Sequence, residues 1–129
     1  IALQDVRILI ADDNATNRDI LMAQCASWGM RPDQAQNGPA ALRMLQEARE
    51  TADPFAILIV DMQMPEMNGI EATREIRRIR KDIPIIAQTA FIFEDDKDII
   101  LEAGCDACLI KPIRKEHLLT VMSSFLKSV

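Results

Sequence analysis

Apolar residues gather in short blocks along the chain, and each block ends at a polar or charged residue. Residues 6–11 run into Asp12 and Asp13, residues 55–60 into Asp61, residues 83–88 into Thr89, and residues 107–110 into Lys111 and Pro112. Short apolar runs bounded by turn formers predict strands buried on both faces. Residues 32–35 are shorter and more polar, and fit an edge strand. Between the blocks the apolar positions recur at helical spacing. Residues 16–28 set Ile20, Leu21, Gln24, Cys25 and Trp28 broadly on one side, with Asn14 or Thr16 able to cap the start. Residues 39–50 carry Leu42, Leu45 and Ala48, and Pro39 is tolerated in the first turn, where its missing N–H would have no helical acceptor. Residues 69–80 space Ile70, Thr73, Ile76 and Ile79 beneath a basic outer face. Residues 94–103 carry Ile99, Ile100 and Ala103 to a stop at Gly104, and residues 114–126 carry Leu118, Leu119, Met122, Phe125 and Leu126.

Strand and helix thus alternate along the whole chain. Helices crossing between short apolar strands predict right-handed connections and an α/β fold, a five-stranded parallel sheet with helices on both faces. In such a sheet ligands meet the C-terminal strand ends where the strand order reverses. The strand readings put Asp12, Asp13, Asp61, Thr89 and Lys111 at that edge.

Composition narrows the possibilities. The 129 residues fit one domain, and 49% hydrophobic against 27% charged residues argues for a folded chain. A chain from Ile1 to Val129 without an initiator Met is expected to be one domain, residues 1–129, cut from a larger protein. No apolar run reaches the roughly 18 residues of a membrane span, so no direct membrane contact is expected, although the parent protein can still be anchored. A net charge of -5 with no basic tail argues against direct nucleic-acid binding. Three cysteines and no secretory signal predict reduced thiols and a cytoplasmic setting, and a single His117 excludes His-rich metal sites. The formal charge of Asp12, Asp13 and Asp61 is -3, and Lys111 reduces it to -2. Clustered carboxylates demand compensation, and an all-oxygen set with retained waters suits Mg²⁺, with Mn²⁺ as the alternative.

These residues resemble the response-regulator receiver domain of two-component signalling. The signature is Ile-Leu-Ile-Ala-Asp-Asp-Asn at 8–14, Asp-Met-Gln-Met-Pro-Glu-Met-Asn-Gly at 61–69, Thr89-Ala90 and Lys111-Pro112, and the resemblance covers essentially the whole chain. The segment 64–72 is most similar to receivers attached to hybrid sensor histidine kinases. The resemblance implies a (βα)5 flavodoxin-like fold and a domain that catalyses its own phosphorylation and dephosphorylation. Asp61 would take a phosphoryl group from phosphohistidine on a histidine kinase or histidine phosphotransfer domain. Asp13, the Asp61 carboxylate and the Gln63 carbonyl would bind the metal, with Asp12 acting directly or through water. Lys111 would pair with a phosphoryl oxygen, Thr89 would donate its hydroxyl to another, and the Lys111–Pro112 bond would be cis. The signal would leave as a changed surface or by onward phosphotransfer, and a homodimer through the last helix and strand is left open.

Three further positions carry expectations. Cys108 stands where receivers usually have Tyr or Phe, so movement of residues 91–97 is expected to carry more of the signal than a swinging ring. The resemblance implies that Gln63 and Phe91 flank the route of water to the phosphoryl group, and bulky Phe91 is expected to slow hydrolysis. Cys105-x-x-Cys108 is expected to be structural, His117 to sit at the margin of the last helix, Trp28 to anchor helix to sheet, and Arg74, Arg77, Arg78, Arg80 and Lys81 to form a solvated patch. Two other classes compete with the receiver. A small aspartyl-phosphate hydrolase or phosphotransferase would need a positioned acid or base and a cap, and a pseudo-receiver would bind protein without phosphorylation.

Overall fold

The computed structural model describes residues 3–64, 67–90 and 94–126. Strands and helices alternate as β1 (Arg7–Ala11), α1 (Ala15–Ser27), β2 (Arg31–Ala35), α2 (Gly38–Arg49), β3 (Ile57–Asp61), α3 (Gly69–Ile79), β4 (Ile85–Thr89), α4 (Glu94–Ala103), β5 (Ala107–Ile110) and α5 (Lys115–Phe125). The sheet is parallel throughout in the order β2-β1-β3-β4-β5, with the polar β2 at one edge as expected. Among the described residues no helix is long and apolar enough to cross a membrane.

Alternation along the central strands sorts their side chains into two cores. Leu9, Leu58, Val60, Ile85 and Ala87 pack against Ala41 and Leu45 of α2, Ala72 and Ile76 of α3, and Ile100 of α4. Ile8, Ile10, Ile57, Ile59 and Ile86 pack on the other face against Leu21 and Cys25 of α1 and Leu118 and Met122 of α5. Both faces of β1, β3 and β4 are therefore covered, which is why these strands read as unbroken apolar runs. The expected strands begin one or two residues too early because Val6, Phe55 and Ile83 serve as core residues or loop contacts ahead of the ladder. Ile83 is buried and its carbonyl accepts from Arg77 at 2.7 Å.

Several helical expectations need correction. Ile20, Ile99 and Phe125 belong to the apolar stripes but are exposed. Trp28, just past the end of α1, is half-buried and packs against the core that α1 and α5 share with the sheet, in keeping with a helix-to-sheet anchor. The basic run on α3 is not uniformly solvated. Arg77 donates to the carbonyls of Gly104 (2.7 and 2.9 Å) and Ile83 and to Asp106, while Arg80 donates to the Phe55 carbonyl. Arg74, Arg78 and Lys81 are exposed as expected.

Candidate functional site

The strand order reverses between β1 and β3, and the register there sets Ala11 beside Val60. The next residue on each strand is an aspartate, so Asp12 and Asp61 emerge side by side at the C-terminal edge. Asp61 in turn pairs with Gln88, and Thr89 pairs with Ile110, which delivers Lys111. The sheet alone thus gathers residues far apart in sequence into one mouth, the place where an open α/β sheet receives ligands.

Local turns hold each group. The Asn14 N–H donates to Asp12 Oδ1 at 2.9 Å, and the Asn14 side chain accepts the Asn17 N–H, capping α1. Beyond β3, the Gln63 N–H donates to Asp61 Oδ1 at 3.0 Å, and Asn68 caps α3 by accepting from Ile70 and Glu71. Gly69 lets this loop close tightly. A Cβ there would lie 2.5 Å from the Asp61 carbonyl oxygen and 2.7 Å from Met62 Cα, too close for any side chain.

Asp12 and Asp61 are buried, whereas Asp13 is exposed. One ligand oxygen from each of the three lies within 4.8 Å of the others, a spacing and donor chemistry that fit one hard divalent cation. Lys111 Nζ reaches Asp61 Oδ2 at 2.9 Å and Asp12 Oδ2 at 4.0 Å. Burial pushes the Asp61 carboxyl pKa up, and the Asp12 charge adds to this, while the Gln63 N–H and Lys111 pull against it. The Lys111–Pro112 peptide is cis.

Two site residues were not singled out from sequence. Gln88 is fully buried, donates from Nε2 to Asp12 Oδ2 at 2.9 Å and accepts from Asn17 Nδ2 at 3.2 Å. Asn17 also donates to Asp12 Oδ2. The available signal was Gln88 itself, a carboxamide at the end of an otherwise apolar buried strand, where a polar side chain needs a partner. Thr89 is buried, and its Oγ accepts from Gln63 Nε2 at 3.0 Å. Phe91 lies outside the described residues.

Residues 8–123 match the family described as the response regulator receiver domain. The chain is a receiver domain. Its Asp12, Asp13 and Asp61 form the acidic cluster typical of the Mg²⁺-binding phospho-acceptor site of response regulators. The receiver is 40% identical over 116 residues to the autoinducer 2 sensor kinase/phosphatase LuxQ of Vibrio vulnificus, covering 89% of this chain and 13% of that protein. It is 35% identical to the two-component response regulator ORR41 of Oryza sativa subsp. japonica, covering 93% and 94% of the two chains. Among solved structures, it superposes with a TM-score of 0.83 and 29% identity on the receiver domain of a Pseudomonas aeruginosa sensor histidine kinase, covering 96% and 99% of the chains. That domain was crystallised with a magnesium ion coordinated in its active-site cleft.

The remaining thiols stand apart from this chemistry. All three cysteines are free. Burial pushes Cys25 up to about 12 and Cys105 up to about 11, and Cys105 lies 3.5 Å from the Thr73 hydroxyl. Such thiols remain protonated and unreactive at neutral pH. Cys108 is half-buried against the α2–α4 side of the core, and His117 is exposed near it on α5.

Proposed function

We propose that Asp61 is the residue phosphorylated in this receiver, taking the group from phosphohistidine on a histidine kinase or histidine phosphotransfer domain. The observation that carries the reading is the buried Asp61 carboxylate held between Lys111 at 2.9 Å and the two other aspartates at the sheet mouth. A carboxylate oxygen of Asp61 attacks phosphorus, the P–N bond to imidazole breaks, and an acyl phosphate forms while the imidazole leaves. Asp13, Asp61 and the Gln63 carbonyl hold Mg²⁺, which when bound neutralises charge on the phosphoryl oxygens. Asp12 acts directly or through water, its carboxylate held in place by hydrogen bonds from Asn14, Asn17 and Gln88. Lys111 pairs with one phosphoryl oxygen and Thr89 donates to another.

A groove beside this mouth suits the donor protein. It is lined by Ile20, Leu21, Pro112 and Ile113, with Asn14 and Lys111 at its edge, and Ile20 is 50% exposed. An apolar helix laid there would bring an adjoining histidine to Asp61. Membership of a hybrid sensor kinase, and with it a cytoplasmic setting, is supported by the likeness to LuxQ and to the Pseudomonas kinase receiver.

The test is incubation with acetyl phosphate or phosphoramidate and Mg²⁺, followed by intact mass. A phosphoryl adduct that requires Mg²⁺ and is lost in Asp61→Asn is expected. An adduct that survives that substitution would place the acceptor elsewhere.

A further inference from the structure

The side chain of Gln63 crosses from the end of β3 to the end of β4. Its Nε2 donates to the Thr89 hydroxyl at 3.0 Å, and its Oε1 accepts the Ala90 N–H at 3.4 Å. This orientation follows from donor chemistry, since a backbone N–H can only donate and so requires the oxygen end of the amide. The Gln63 backbone N–H meanwhile donates to Asp61 Oδ1 at 3.0 Å. One residue therefore ties the acceptor carboxylate to both the last residue of β4 and the first residue beyond it.

Resting on the phospho-acceptor reading above, we propose that the Gln63 carboxamide is a positioning residue that latches Thr89 and Ala90 in the resting arrangement and competes with the phosphoryl group for them. The amide oxygen offers the Ala90 N–H the same kind of acceptor that a phosphoryl oxygen would. Both cannot use that N–H fully at once. Turning Thr89 toward a new acceptor also removes the hydroxyl oxygen from Gln63 Nε2. The amide has room to release, because Gln63 is exposed and borders a hollow lined by Met62, Asn68, Thr89, Ile99 and Ile100. This role differs from shielding the acyl phosphate from water, which depends on bulk and not on the amide.

The test compares the native domain with Gln63→Met, which keeps length and bulk but removes both amide contacts, and with Gln63→Glu, which keeps an acceptor for Ala90. Gln63 is exposed, so neither change disturbs a core. Two quantities are read. Without any phosphate analogue, hydrogen exchange at the Ala90 amide is expected to quicken several-fold in Gln63→Met and to stay near the native rate in Gln63→Glu. With Mg²⁺ present, Gln63→Met is expected to bind beryllofluoride about five-fold more tightly, the equivalent of one ordinary hydrogen bond no longer competing. Unchanged exchange in Gln63→Met overturns the latch, and faster exchange without tighter beryllofluoride binding overturns the competition. Weaker binding accompanied by loss of Mg²⁺ affinity would make the side chain part of the metal pocket and likewise overturn it. Failure of the native domain to bind beryllofluoride would instead sink the phospho-acceptor reading, and the exchange measurement would still decide the latch.

Discussion

Burial sets the character of Asp61 before any partner arrives. Its carboxyl is shifted upward chiefly by desolvation and further by Asp12, so the folded protein holds a proton there more readily than the unfolded chain. Stability from this group is therefore fully present below the ordinary carboxyl range and is lost as pH rises through the higher folded-state value. In metal-free buffer, Asp61→Asn is expected to unfold at a higher urea concentration than the native domain at neutral pH. The gap should narrow as pH falls through the raised value, since the native carboxyl then takes up its proton. A gap that is constant across that range would show that desolvation is not the governing effect. At this scale the sequence was informative about charged residues and nearly silent about amides. Asp12, Asp61 and Lys111 were placed by the strands that end at them, but the role of Gln88 depends on β4 lying beside β3 and facing α1, a relation that no local pattern contains.

The elements behave similarly, with interiors more legible than their charged faces. Alternation of apolar blocks and helical stripes was enough for all five strands and all five helices, because each central strand is covered on both sides. Arg77 and Arg78 are adjacent in one basic run, and only the fold separates them. The Arg77 guanidinium joins α3 to the residues just ahead of β4 and to the turn before β5, whereas the Arg78 side chain is 77% exposed and pairs with Glu75 at 3.5 Å. Gly104 shares in this arrangement, since its φ of 119° and the nearby Arg77 stem leave no space for a Cβ. Arg77→Met is expected to cost about 2 kcal/mol, as charged donors to partly buried carbonyls are lost. Arg78→Met should change stability by less than about 0.5 kcal/mol. Urea midpoints measure both, and equal losses would mean that the run acts as one solvated face after all.

For the whole molecule, the acidic mouth links folding to ion binding. A cation that binds only the folded domain stabilises it by mass action, about 2.7 kcal/mol at a hundredfold excess over its dissociation constant. For a domain of this size that corresponds to a rise in melting temperature of roughly 10 °C. Most of this rise should vanish in Asp13→Asn, a change at an exposed residue that leaves both cores intact. Thermal unfolding with and without Mg²⁺ checks this, and an undiminished shift in the variant would remove Asp13 from the ligand set. The amide partners of Asp12 carry a different consequence. Because Asn14, Asn17 and Gln88 hydrogen-bond its carboxylate, and Lys111 pairs with Asp61, the protein's own side chains hold both carboxylates in place, although among these groups only Lys111 offsets their charge. A pocket that relied on the ion to keep its walls in place would be a gauge of cellular magnesium. One that stands on its own side chains holds its shape without the ion, so that a change in the medium alone does not rearrange it.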